Sequence, residues 1–405
     1  MHSYLLIVLL LSVSYTWQAC YDVSHSVRPQ PLQAKLERLN ESLVLQGPSV
    51  LHDPDRFVWG GSVVKGKDGR YHMLYSTWES GSGWPSFKDS WVLHSKIGYA
   101  VSDYPDRDFR FQKIVLQGRL HEGDSTAWDA QMVHNPHVKA FNGRFYLYYI
   151  GAKDPGLQPV GSPGEKLSKR NRVQQCQQIG VIAFDSFEDL LTGNFERPLQ
   201  PLLSPRTRVK KDQVVNPSPA GTEAKPDNLI VVNPSVVFRP SDGKYLLYFK
   251  GNLYDPQWRG VHGVAVSDTP TGPFRPLDQF VFDMPTSDGK IASAEDPYVW
   301  FHPGDSRFYA VFKDFTGVIT GVEPGLAMLE SKDGIRWEKP KQAFFMKKEL
   351  SLASGKALKV DRLERPQLFI DEQGHPAVVY LACSIEPANQ KTDGSTFNVH
   401  ITLKK

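Results

Sequence analysis

The chain has 405 residues, of which 40% are hydrophobic, 22% charged and 12% aromatic; this fits a folded globular protein and excludes a disordered or collagen-like polymer. A formal net charge of +3 is too small for a dedicated nucleic-acid binder, which presents a strongly basic face. Three cysteines, Cys20, Cys176 and Cys383, can build neither a disulfide scaffold nor a four-ligand zinc site.

The sequence opens with an apolar run, YLLIVLLLSV, over residues 4–13. A membrane-spanning helix needs about 20 such residues, so the run has the size of a signal-peptide core, and a polar stretch ending Gln18-Ala19-Cys20 follows it. The n-region carries His2 but no Lys or Arg. Residues 1–20 are read as a signal peptide and 21–405 as one catalytic domain. The protein is then exported: periplasmic, extracellular, or held at the cell surface by a lipid on Cys20, its one membrane contact. With Cys20 removed or lipidated, Cys176 and Cys383 remain as the two that can pair.

From Gly60 onward one pattern recurs. A small residue or Pro precedes an alternating strand, a turn containing Gly, and an aromatic-rich strand. The copies are GGSVVKGKDGRYHMLYST (60–77), NPHVKAFNGRFYLYYIG (135–151), NPSVVFRPSDGKYLLYFKG (233–251), DPYVWFHPGDSRFYAVFKD (296–314) and RPQLFIDEQGHPAVVYLA (365–382). Period-2 alternation around DG, NG, GD or QG turns predicts a β-hairpin in each. A second motif follows the first four: KIGYAVSDYP, QIGVIAFDSF, VHGVAVSDTP and GLAMLESKDG. Two hairpin-like units make a four-stranded antiparallel sheet, and five sheets that cannot bury their faces alone stack radially. The predicted fold is therefore all-β, a five-bladed β-propeller around a central funnel. FNVHITL (397–403) and the segment before Gly60 would close the last blade. Two β-sandwiches would not explain the same motif order five times.

Two insertions, 152–177 and 204–229, interrupt the rhythm. They hold the basic clusters KLSKRNR (166–172) and RTRVKK (206–211), which read either as solvated loops or as walls of a cleft that attracts an acidic, sulfated or uronic glycan.

Side chains just before each innermost strand converge on the axis of a propeller. Here those positions read Trp59-Gly60-Gly61, His134-Asn135, Val232-Asn233, Glu295-Asp296 and Glu364-Arg365. Carboxylates from two blades in an otherwise apolar repeat point to an active site. Glycoside hydrolysis needs such a pair, one acid and one base or nucleophile. Trp59, Trp84, Trp128, Tyr254 and Trp258 are candidates for stacking on sugars. Lys250 and Lys313-Asp314 end second strands near the same rim, where they would bind hydroxyl, sulfate or carboxylate groups. There is no metal-ligand spacing, P-loop, GxGxxG or GxSxG motif, so neither a metal nor an organic cofactor is expected.

These motifs resemble the five-bladed propeller glycoside hydrolases of families 43, 32, 68 and 117. EDPYVWFHPGDSRFYAVF (295–312) is similar to the family-32 segment whose Asp stabilises the transition state. LERPQLFIDEQGHP (363–376) is similar to the segment whose Glu is the acid/base. The resemblance implies a stabilising role for Asp296 and a proton-donor role for Glu364. Glu295 stands where the family has Arg, and Arg365 where it has Cys. The families' first-blade Asp is replaced by Gly60-Gly61. Asp129, ahead of the second blade, is the best substitute for the third carboxylate, before Asp53, Asp55 and Glu79. His134 is a further acid or base, because family 117 uses a histidine for proton donation.

The expected function is a glycosidase acting on an oligo- or polysaccharide, acidic or sulfated in the sharper reading. Catalysis falls to Asp129, Asp296 and Glu364, and substrate binding to Trp59, His134, Asn135, Asn233, Lys250, Glu295, Asp314 and Arg365. A non-catalytic carbohydrate-binding propeller, or a glycoside phosphorylase like family 130 with a phosphate pocket at Lys250, Lys313 and Arg365, are the alternatives.

Overall fold

The structure, a computed structural model, describes residues 27–206, 214–215, 221–254, 258–387, 392 and 395–404. The expected signal peptide, Cys20 and most of the basic cluster 206–211 lie outside these residues.

Five antiparallel sheets stand around one axis as the blades of a propeller. The first blade runs from the inner strand Arg56–Lys65 outward through Tyr71–Glu79, Lys96–Ser102 and Arg110–Leu116. The second has three strands, Met132–Phe141, Arg144–Ala152 and Gln178–Phe184, and its outer edge is reduced to a bridge between Ile179 and Leu203. The third comprises Val232–Arg239, Lys244–Tyr254, Trp258–Ser267 and Arg275–Pro276, and the fourth Ala294–His302, Arg307–Asp314, Gly325–Ser331 and Phe344–Lys347. The fifth is a joint product of both ends of the sequence. Arg362–Ile370, Pro376–Ser384 and Thr396–Lys404 are completed by Arg28–Pro29, and Val50–His52 also pairs with Thr396–Lys404.

The local sequence explains the hairpins. Between the inner strands of the second blade, Asn142 and Gly143 both adopt positive φ, 51° and 78°, as a two-residue hairpin with right-handed strand twist requires. Burial explains the radial arrangement. The main apolar clusters each lie between neighbouring blades: Leu74 and Val101 pack with Val138 and Leu147 between the first and second, and Val237 and Leu246 with Val299 and Ala310 between the third and fourth. A single blade would leave both faces wet, and about 25 cal/mol is lost for each Å² of apolar surface left in water.

Cys383 is wholly buried in the fifth blade, and among the described residues neither it nor Cys176 forms a disulfide. Among the described residues, no helix is long and apolar enough to cross a membrane.

Candidate active site

Each inner strand slips register at the same place. The slips fall between Trp59 and Gly61, His134 and His137, Val232 and Ser235, Glu295 and Tyr298, and Glu364 and Gln367. The residue inside each slip is left-handed: Gly60 (φ 49°), Asn135 (48°), Asn233 (55°), Asp296 (62°) and Arg365 (55°). Gly, Asn and Asp take this conformation readily. In four blades the next residue is Pro (Pro136, Pro234, Pro297 and Pro366), which has no N–H to lose from the ladder. The bulge thus turns two successive positions of each strand toward the axis.

The left-handed residues form a linked ring. Asn135 Nδ2 donates to Asn233 Oδ1 (2.8 Å), Asn233 Nδ2 to Asp296 Oδ1 (2.5 Å), and the Arg365 backbone N–H to Asp296 Oδ2 (3.1 Å). Gly60 leaves a gap that Arg365 fills: a Cβ there would lie 3.3 Å from Arg365 Cγ and 3.2 Å from Asn135 Oδ1. The side chain of the fifth blade therefore occupies the space where the first blade has none.

Above the ring lie Trp59, His134, Val232, Glu295 and Glu364, which with it line a cavity of about 220 Å³. This floor opens into an outer cleft of about 810 Å³, sharing Gln174, Ile230, Lys250, Asn252 and Glu295 with it. Helices α1 (Phe87–His94) and α2 (Lys169–Gln174) flank the opening and contribute Lys88, Arg170 and Asn171 to the cleft. Arg170 ties the two helices together, donating from Nε to the Lys88 carbonyl at 3.2 Å. The first insertion is therefore cleft wall rather than free loop.

The electrostatics centre on the fourth and fifth blades. Glu295, Asp296 and Glu364 each place one oxygen within 4.8 Å of the others. Lys313, opposite Glu295 across the strand pair, sits between two of them, with Nζ 3.2 Å from Glu295 Oε1 and 2.5 Å from Glu364 Oε1. Lys250 approaches Glu295 Oε2 at 3.3 Å, and Arg362 Nη1 lies 3.1 Å from Glu364 Oε1. Despite burial, the two lysines hold Glu295 down to about 2. Asp296 is pushed up to about 7, first by burial and then by the charge of Glu295, with Arg365 opposing. The same acidic spacing would suit a hard cation, but the Lys313 ammonium already ion-pairs with two of its three ligands. His134 is kept neutral by burial and the nearby Arg365, and its Nδ1 shares a 2.7 Å hydrogen bond with Ser95 Oγ.

The structure brings together Trp59, His134, Asn135, Asn233, Lys250, Glu295, Asp296, Glu364 and Arg365. It separates Asp129 from them, and it leaves Asp314 outside the funnel lining, on a neighbouring cavity that it shares with Lys313, Arg362 and Glu364. Asp129, the expected third carboxylate, is fully buried between Arg119 (3.3 Å) and Arg197 (2.9 Å) and accepts from Tyr149 Oη (2.9 Å); it anchors the segment before the second blade. Asp314 caps the turn that follows it, accepting from the backbone N–H groups of Thr316, Gly317, Ile319 and Thr320. Trp128 packs on Tyr149 and donates to the Pro198 carbonyl instead of facing the opening. Trp258 does line the outer cleft, while Trp84 lies against His94.

Sequence reasoning missed Arg362, Trp91, Gln174 and Gln177, which also line the floor. Arg362 was within reach: it precedes Glu364 by two positions, on the same face of the strand. The other three come from the helices flanking the opening and the turn after α2, and no repeat pattern marks them.

No protein-family model matches the chain, and no curated protein matches it in sequence. Solved structures match its fold. BT0996, solved as an RGII complex, gives a TM-score of 0.57 at 11% identity, with 95% of this protein and 94% of that one covered. Zg3597, a family 117 glycoside hydrolase produced by the marine bacterium Zobellia galactanivorans, gives 0.52 at 16% identity, with 93% and 91% covered. A further glycoside hydrolase gives 0.57 at 12% identity, with 95% and 94% covered. Over nearly its whole length, this chain has the five-bladed β-propeller fold seen in glycoside hydrolases.

Proposed function

We propose that the protein is a glycoside hydrolase that cleaves an oligo- or polysaccharide in the central funnel. The observation that carries this reading is the meeting of three carboxyl groups from two adjacent blades, within 4.8 Å of one another, at the floor of a cleft large enough for several sugar residues. Glycoside hydrolysis needs one carboxyl group that gives up a proton and one that is ionised. Like charges this close oppose joint ionisation, and burial together with the Glu295 charge lets Asp296 keep a proton near neutrality.

In this scheme the proton rests on Asp296, and Glu295, fixed as a carboxylate by Lys250 and Lys313, attacks or activates water. Glu364, reachable from the funnel, takes that proton from Asp296 and passes it to the departing oxygen, leaving Asp296 ionised. Asp129 has no part. Retaining enzymes hold their two carboxyl groups roughly 5–5.5 Å apart and inverting ones about 6.5–9.5 Å; in the retaining form of this scheme Glu295 is the nucleophile, and the stereochemistry of the first product tells the two apart. Trp258 offers a stacking face in the outer cleft. Export through residues 1–20, with or without a lipid on Cys20, belongs to the same reading, because polysaccharides are met outside the cell.

A second reading draws on Gly60, which supplies no first-blade carboxylate, and on the cations around those present: a carbohydrate receptor, or a phosphorylase using Lys250, Lys313 and Arg365 for phosphate. The test is turnover of neutral, uronic and sulfated oligosaccharides by wild type and Glu364→Gln, with and without phosphate, with products read by mass. Loss of 10²-fold or more in the variant, the usual scale for a general acid, supports hydrolysis. Phosphate-dependent products would identify the phosphorylase, and binding without turnover the receptor.

A further inference from the structure

Arg365 is 1% exposed yet lines the funnel floor. Its backbone is left-handed (φ 55°), a conformation that costs a side-chain-bearing residue and is kept where the surroundings demand it. Its Nη1 is 3.6 Å from Asp296 Oδ1, beyond hydrogen-bond reach, and Nη2 meets the Pro136 carbonyl only at 3.5 Å. Nε and Nη1 donate to no acceptor among the described residues. A buried guanidinium with idle donors is expensive to maintain. Beside it, Asn135 Oδ1 has no donor among the described residues. The two share one corner of the floor, since a Cβ on Gly60 would lie 3.4 Å from Arg365 Nε and 3.2 Å from Asn135 Oδ1.

The charge balance leans the same way. Lys250, Lys313, Arg362 and Arg365 surround the three carboxyl groups; with Asp296 protonated, they face the charges of Glu295, Glu364 and Asp361, the last 3.7 Å from Arg362 Nε, leaving one cation in excess. In the outer cleft Lys88 and Arg170 join Lys250; Glu295 is the one carboxylate of the lining, and Asp89 lies 3.7 Å from Arg170 Nε. A neutral sugar would leave both the excess charge and the planar donor fork of Arg365 unanswered, whereas a carboxylate or sulfate oxygen matches that fork.

We propose that the saccharide taken by this funnel is anionic, bearing a carboxylate or sulfate group that lodges against Arg365 while a neighbouring hydroxyl donates to Asn135 Oδ1. The proposal rests on the reading of the funnel as a saccharide site and adds the class of sugar. It makes Arg365 the residue that sets specificity.

The test is calorimetric titration of the full-length protein with matched pairs of ligands: oligogalacturonate against its methyl ester, and a carrageenan oligosaccharide against its desulfated form. The expected result is that the acidic member of at least one pair binds tenfold or more tighter than its neutral partner. The margin shrinks as salt is raised, and the pair that responds tells carboxylate from sulfate. Arg365→Lys, which keeps the charge but loses the fork, should lose tenfold on the acidic ligand and little on the neutral one. Because Arg365 belongs to the ring, Lys88→Gln on the exposed cleft wall serves as the second variant, and it should lower only the salt-dependent part, about two- to threefold. Equal binding of both members, or preference for the neutral one, overturns the anionic assignment and leaves the saccharide reading standing. No binding by any of the four overturns both.

Discussion

Asp296→Asn separates chemistry from stability in a way the geometry makes quantitative. Asn fits the site: it tolerates the φ of 62°, and its side-chain oxygen can still accept from Asn233 Nδ2 or the Arg365 N–H. The variant resembles protonated Asp296 at every pH. In the wild type, burial and Glu295 raise this carboxyl from 3.8 to about 7. A raised acid contributes stability that is complete below its unfolded value and is lost as pH climbs to the folded one. Each pH unit in that window removes about 1.4 kcal/mol. Between pH 4 and pH 7.5 the wild type should therefore fall, relative to the variant, by on the order of 3–4 kcal/mol. The assay is urea denaturation of both proteins at half-unit pH steps across this window, with turnover measured alongside. Turnover should drop by 10²-fold or more if Asp296 stores the proton that Glu364 delivers. Parallel stability curves would refute the placement of the proton on Asp296. A variant that loses stability relative to wild type as pH rises would refute the sign.

Two further outcomes follow from the ion pairs. Asp129→Asn leaves Arg119 and Arg197 facing a neutral group in a buried site, and should cost about 3–5 kcal/mol in denaturant unfolding while leaving kcat within twofold in the folded protein. Lys313→Met removes the positive charge shared by Glu295 and Glu364, so Glu295 ionises at higher pH; the acid limb of the pH–rate profile should move up by about one pH unit or more, whereas a merely structural Lys313 would lower the rate without moving the limb.

Much of the fold was legible because its signals are local. Alternation such as RFYLYYIG and the Asn142-Gly143 turn specify a hairpin wherever they occur, and repeating them five times leaves stacking as the way to bury both faces. The polar positions before each inner strand were legible for the same reason: Asn135, Asn233, Asp296 and Arg365 recur in register with the hairpins. Asp129 read as a site residue because it lies just ahead of the second blade. The residues that bury it, Arg119 and Arg197, come from segments with no repeat, so nothing in its own neighbourhood showed that its charge was already matched. Asp314 misled for a similar reason, since the turn it caps is built from backbone N–H groups that carry no sequence signature.

By itself, then, the sequence determined the blade count, the hairpin turns and which residue types approach the axis, since these depend on period-2 alternation, turn chemistry and short-range order. Only the tertiary structure decided how those residues divide the work. That Lys313 bridges Glu295 and Glu364, that Arg365 fills the space left by Gly60, and that α1 and α2 wall the cleft are contacts between segments tens to hundreds of residues apart. Their energies depend on distance and burial, and neither is written in the order of the residues.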